Sequence, residues 1–223
     1  MGRRVILGML GLGAAGIAVG SSAQNVLTKA LGPVRGQIGG LIPAAGGFRY
    51  YSVVDSVPSI TSASYTLKVN GLVTTPRTFT FQDLQAMPQT HVTKDFQCVT
   101  GWRVPGVQWS GVALPDLLDA VGAHGSAITF SCFDGAYTES LTMDQARRRD
   151  VLVATSMLGG PVTHDHGGPV RLFVAPMYGY KSAKWLSGIE VTNKVTPGFW
   201  EVRGYDVDAW VGRSNGRNDV PTS

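Results

Sequence analysis

The sequence predicts an α+β domain of mixed β-sheets and short helices. Three observations predict it. Stretches with two-residue alternation or a continuous β-branched run outnumber those with a helical stripe. The strand-like stretches are irregularly spaced, and the helical ones between them are short. Finally, 29 glycines and 12 prolines stand against 15% charged residues, which leaves many turns and little surface helix. The 223 residues suffice for one domain with a sizeable core.

Residues 1–23 read as a targeting segment or a membrane anchor. Arg3 and Arg4 precede Val5, Ile6 and Leu7, a Gly/Ala-rich apolar run follows, and Ser21, Ser22 and Ala23 offer a small-residue cleavage site. The Arg-Arg-x-Ile-Leu core resembles a twin-arginine signal. Residues 24–47 form a Gly/Pro/Ala-rich linker. The domain is expected over 48–212, with a tail over 213–223.

Within the domain, 48–54 have strand character. Over 64–73, Tyr65, Leu67 and Val69 alternate with Thr66, Lys68 and Asn70 up to an Asn70-Gly71 turn. Residues 78–81 form a strand, and Thr80 caps a short helix that ends before Pro88. The stretch 91–97 alternates into Cys98, and 107–111 is extended. Leu114, Leu117, Leu118 and Val121 fall on one helical face, with Pro115 tolerated in its first turn. Residues 127–133 and 137–141 are strands about an Asp134-Gly135 turn, 143–149 a short polar helix, and 151–157, 170–175 and 189–195 further strands.

Several functions are excluded. The net charge of +4 is mild and its basic residues are scattered, which argues against a nucleic-acid partner. The two cysteines lie in unlike contexts, and neither has the CxxC or CxxH spacing of a zinc or iron–sulfur site. Haem-attachment and dinucleotide motifs are missing. Ser110 has Gln108 where a hydrolase elbow needs glycine.

Two stretches concentrate the remaining chemistry. One is 95–106, DFQCVTGWRVPG, where the thiolate of Cys98 could act as nucleophile or as a single soft metal ligand. The other is 165–187, where Arg171, Lys181, Lys184, His166 and several glycines suit an anionic cofactor. Blander readings stand beside these: a buried structural cysteine, a strand-edge salt bridge for Arg171, a solvated turn for Lys181 and a surface imidazole for His164. Cys132, inside an apolar strand, reads as core.

Together these stretches resemble the molybdopterin-binding domain of the sulfite oxidase family. The resemblance rests on one cysteine, on His166-Gly167-Gly168-Pro169-Val170-Arg171, and on Gly179-Tyr180-Lys181-Ser182-Ala183-Lys184, in that order. It covers roughly 48–210. The family includes sulfite oxidases, assimilatory nitrate reductases and the catalytic subunit of bacterial periplasmic methionine sulfoxide reductase; the chain's architecture is most similar to the last. The resemblance implies a molybdenum–molybdopterin cofactor with Cys98 as metal ligand. It implies that Tyr50, Tyr51, His166, Arg171, Ser182, Ala183 and Lys184 hold the pterin. The stretch 127–137 should set a polar residue under the metal, with Ser131 first and Tyr137 second. Arg103 would face the substrate channel as a catalytic residue, although the family's Asn-Arg-Arg pattern is absent.

The activity implied is oxygen-atom transfer on a small oxyanion or a sulfoxide, with reduction of S-oxides or N-oxides favoured over sulfite oxidation. A catalytically inactive cofactor-binding or scaffold module is the alternative. Electrons would come from a separate partner, a cytochrome or a quinol-linked membrane subunit. The location implied is exported, periplasmic or extracytoplasmic, free or held by a single N-terminal anchor.

Overall fold

Leu67 and Val69 turn inward and Thr66 and Lys68 outward along β1 (Thr66–Gly71), the alternation a half-buried strand requires. The computed structural model describes residues 47–222. The expectations for 1–23 and for most of the linker lie outside them.

After β1 come β2 (Arg77–Thr80) and α1 (Phe81–Ala86). Helix α1 starts where the sequence marks it. Thr80 Oγ1 accepts from Asp83 N at 3.1 Å while Asp83 Oδ2 accepts from Thr80 N at 2.8 Å, a reciprocal cap. Then follow β3 (Gln89–Gln97), β4 (Arg103–Ala113), α2 (Leu114–Ala120), β5 (Ala127–Cys132), β6 (Thr138–Thr142), α3 (Met143–Ala146), β7 (Val151–Met157), β8 (Gly160–Pro161), β9 (Arg171–Val174) and β10 (Leu186–Thr192). Single 3-10 turns form at His164–His166, Gly179–Lys181 and Glu201–Arg203.

Two sheets result. The first runs β2-β1-β10-β5-β6, with β1 and β10 parallel and the other pairs antiparallel. The second runs β3-β4-β7-β8, antiparallel, with β9 on β7. One apolar core draws Leu67, Val69, Ile128, Phe130 and Ile189 from the first sheet, and Val112, Val153, Leu172 and Val174 from the second.

The chain differs from its sequence reading in four places. Residues 48–54 hold only an isolated bridge at Arg49. There Ser52 Oγ donates to Val54 O at 2.8 Å and accepts from Val54 N at 3.2 Å, so a side chain takes the backbone partners a strand would need. Strand β4 runs straight through Pro105 and Gly106, because a register shift opposite, between Lys94 and Phe96, absorbs them. Helix α3 stops at Ala146; Arg147, Arg148 and Arg149 instead pair with Asp119, Asp150 and Asp116. The tail is folded back on the domain: Arg103 donates to the carbonyls of Val220 at 2.8 Å and Pro221 at 3.0 Å, and Thr222 Oγ1 to that of Ala175 at 2.8 Å.

Residues 47–55 belong to a unit separate from Ser56–Ser223. Tyr50 is half-buried and Tyr51 exposed within it. Among the described residues no helix is long and apolar enough to cross a membrane.

Candidate functional site

The β3–β4 hairpin ends in a tight loop made by its own backbone. Cys98 N donates to Trp102 O at 2.9 Å, and Gly101 N donates to Cys98 O at 3.0 Å. Asp95 sets the entry: Oδ1 accepts from Gly106 N at 2.8 Å and Oδ2 from Arg103 Nε at 2.6 Å. The Gly106 amide first, then Arg103, holds the Asp95 carboxyl below the usual carboxylate range. Cys98 is left half-buried at the tip, its Sγ 3.2 Å from Thr100 Oγ1.

The sequence reading turned Arg103 toward substrate. The structure ties its guanidinium to Asp95 and to two tail carbonyls. A different arginine stands by the loop: a Cβ on Gly101 would lie 3.2 Å from Arg217 Nη2. Arg217 itself chelates Asp219 at 2.6 and 3.0 Å.

The two glycine-bearing motifs are drawn together by Arg171. This residue is buried at the start of β9 and donates from Nη1 to His166 O at 2.7 Å and from Nη2 to Ser182 O at 2.9 Å. Its guanidinium carbon lies 5.7 Å from the Phe96 ring centre and 5.3 Å from that of Trp109, a cation–π setting beside two neighbouring rings. Burial lowers its pKa to about 10, which still leaves the charge in place at neutral pH.

Phe96 carries the link to the cysteine loop. It lies two residues before Cys98, and a Cβ on Gly179 would stand 2.3 Å from its Cζ. The second motif therefore begins directly against the strand that delivers the thiol. Trp102 stacks on the same ring at 5.6 Å.

Trp185 closes the arrangement from the other side. Its N donates to Gly167 O at 2.9 Å, and its Nε1 donates to His164 O at 2.9 Å. It does so at a φ of 54°, a left-handed conformation costly for a bulky side chain. Gly167, at φ 96°, has no room for a Cβ, which would lie 2.5 Å from Lys184 Cβ. The first motif thus lies directly on the lysine of the second.

The electrostatics ask for an anion. Lys184 Nζ sits 4.2 Å from the Trp185 ring centre and 3.4 Å from Asp165 O. Burial first, then the neighbouring Arg171, lowers its pKa to about 7. The same two causes, in the same order, bring His166 down to about 4, so its imidazole is neutral. Arg171 and Lys184 lie close enough to feel each other's charge, and an anion beside them would restore the charge of Lys184. His164 Nε2 and Asp134 Oδ2 are buried without a hydrogen-bond partner among the described residues. Among those residues no three His, Cys, Asp or Glu side chains gather as a cation cage. These residues fit an anionic cofactor.

Two further readings change. Ser131 is exposed, because alternation along β5 sends Phe130 and Cys132 inward and Ser131 out. The polar group that β5 directs toward Arg171 and Lys184 is the Cys132 thiol, held protonated chiefly by burial. Lys181 is not a solvated turn residue; it is fully buried, on Glu139 Oε1 at 2.7 Å and on Glu201. Sequence reasoning passed over Phe96 and Trp185 as well. The alternation into Cys98 was a signal for the first, and nothing local announces the second.

Comparison with known proteins agrees with this geometry. A family model described as an oxidoreductase molybdopterin binding domain matches residues 54–200. The uncharacterised oxidoreductase YuiH of Bacillus subtilis is 36% identical over 150 residues, 66% of this chain and 75% of its own. YedZ1 of Azospira oryzae, named as a candidate protein-methionine-sulfoxide reductase subunit, is 34% identical over 169 residues, 75% of this chain and 63% of its own. The crystal structure of the sulfane dehydrogenase SoxCD from Paracoccus pantotrophus superposes with a TM-score of 0.59 at 25% identity, covering 66% of this chain and 42% of that one.

Proposed function

This chain belongs to the molybdopterin-binding oxidoreductase family of the sulfite oxidases, and from that premise we propose that it reduces S-oxides or N-oxides by oxygen-atom transfer at a molybdenum ligated by Cys98. Membership makes it an oxidoreductase whose cofactor is molybdopterin. The observation that carries the rest is the strut of Arg171, which gathers His166 and Ser182 beside the hairpin that ends in Cys98.

When bound, the cofactor supplies a metal able to exchange an oxygen atom and two electrons. This chain's residues do the remaining work. Lys184, Arg171 and the backbone of 182–184 hold the anionic end, and neutral His166 offers a hydrogen bond without adding charge. The Cys98 thiolate donates one soft sulfur and so tunes the potential. Trp102, stacked on Phe96, fixes the far side of the cysteine loop.

The direction of reaction is read from two supports. A relative named for sulfoxide reduction is 34% identical over three quarters of the chain. Arg103, the cation that follows Cys98, is tied to Asp95 and the tail rather than open to an oxyanion. The balanced half-reaction takes an S-oxide, two protons and two electrons to a sulfide and water. The electrons come from a separate cytochrome or quinol-linked partner, and the protein works outside the cytoplasm after export through its first 23 residues.

Steady-state rates in both directions test this reading. With a reduced dye as donor, the loaded enzyme should reduce methyl sulfoxides or N-oxides faster than it oxidises sulfite. Efficient sulfite oxidation without measurable S-oxide reduction reverses the direction and leaves the cofactor assignment intact.

A further inference from the structure

Beneath the turn that carries Ser182 and Lys184 lies a group of charges with no part in the mechanism above. Lys181, Glu139 and Glu201 all have fully buried side chains. Lys181 Nζ donates to Glu139 Oε1 at 2.7 Å and to Glu201 Oε1. Glu139 Oε1 also accepts from Ser140 N at 2.8 Å, and Glu201 Oε2 accepts from Gly198 N at 2.5 Å. The three groups come from three places: strand β6, the Gly179–Lys181 turn and the Glu201–Arg203 turn.

The position of this triad matters more than its strength. One side of the turn packs on β9, where Ser182 O takes Arg171 and Ser182 Oγ takes Val174 N at 2.9 Å. The other side is held by Lys181, and by Tyr137 OH, which donates to Tyr180 O at 2.5 Å. The triad also anchors 198–206, whose Phe199, Trp200 and Tyr205 pack ring on ring and reach Tyr180 at 5.4 Å.

We propose that Glu139, Lys181 and Glu201 form a proton-holding clamp that positions the turn Gly179–Lys184 for cofactor binding, with Lys181 a positioning residue and not a cofactor ligand. The proposal rests on the reading that this turn holds the cofactor. Two buried carboxylates around one ammonium carry an uncompensated negative charge, which the interior penalises strongly. A single retained proton cancels it. In keeping with this, burial chiefly, and Glu201 in addition, raises Glu139 to about 8 against the pull of Lys181. The other titratable groups facing Glu139 are Tyr137, Tyr180 and Cys132, and burial keeps all three protonated.

The sign follows from linkage. A carboxyl raised in the folded state binds its proton more tightly folded than unfolded. Its contribution is whole below the ordinary carboxyl value of 4.5 and is lost as pH rises through about 8. Above that, the clamp holds an unpaired charge and the turn loosens.

The test uses the cofactor-loaded protein, incubated from about pH 6 to about pH 9.5, a span chosen to bracket the Glu139 transition. Molybdenum and pterin retained are measured alongside the thermal midpoint. Wild type should lose cofactor progressively faster above pH 8, while Glu139→Gln, which mimics the protonated clamp, should shift that loss upward or remove it. Lys184 titrates in both proteins, so the difference between them isolates the clamp. Lys181→Met should release cofactor on the order of 10–100-fold faster, the usual cost of losing a group that orients a ligand. Identical pH profiles for wild type and Glu139→Gln overturn the proposal, even if Lys181→Met fails to fold. So does a folded Lys181→Met that keeps its cofactor at the wild-type rate. Full pterin content in Lys184→Gln would be a separate failure, that of the turn as the cofactor's holder.

Discussion

Arg171 donates to the carbonyl of Ser182 at 2.9 Å, so a side chain of the first motif is the strut of the second. The guanidinium packs beside Phe96 and Trp109, 5.7 and 5.3 Å from their ring centres, with its N–H fork on His166 O and Ser182 O. The two motifs are one site because a single planar cation spans them.

Arg171→Lys should therefore fail as a conservative change. An ammonium cannot reach both carbonyls, and each lost charged bond costs roughly 1.5–3 kcal/mol. We expect a lower thermal midpoint and lower cofactor content together. Wild-type pterin content in Arg171→Lys would show that Arg171 does not brace the turn.

Lys184 carries a pH signature of its own. Its folded pKa is lowered from 10.5 to about 7, so between those values the unfolded chain binds the extra proton. The stability of the cofactor-free protein should accordingly rise with pH across that window through this residue. Lys184→Gln should flatten the rise, and the same variant should purify with less pterin. An unchanged slope in urea melts taken along the window would show that the lysine is not buried with Arg171.

Cys98→Ser should abolish turnover, because a hydroxyl is a harder and far weaker acid than a thiol and a poor match for a soft centre. Pterin content should change little, since the lysine and arginine contacts are separate from the thiol. Activity of Cys98→Ala near the wild-type level would falsify the ligand assignment.

Gly179→Ala tests the seam between loop and turn. The new methyl would stand 2.3 Å from Phe96 Cζ, so the ring or the turn must move. Overpacking of this kind costs about 1–3 kcal/mol. We expect a destabilised protein with displaced tryptophan fluorescence, because Trp102 stacks on the same ring. A crystal structure of Gly179→Ala with Phe96 unmoved would contradict the seam.

Export is tested at the other end of the chain. Replacing Arg3 and Arg4 by lysine together should strand the loaded protein in the cytoplasm if the route requires the arginine pair. Fractionation of cells decides it: normal export of the double variant would rule that route out.

The sequence by itself determined the class of fold, the cap at Thr80, the alternation of β1, and the two stretches where the chemistry lies. These are local properties, set by side-chain periodicity and by short-range hydrogen bonding. Tertiary structure decided which polar groups those stretches use. Arg103 and Arg217 are both arginines near a cysteine in space, yet only folding back of residues 213–222 shows which is tied to Asp95 and which lies against Gly101. Lys181 and Lys184 are three residues apart in one motif. The first is locked between Glu139 and Glu201, 42 and 20 residues away, and the second lies beside Arg171. Ser131 is polar but points outward, and its neighbour Cys132 points in. A buried charge is worth what its partners make it, and partners distant in sequence become neighbours only when the two sheets close on one core.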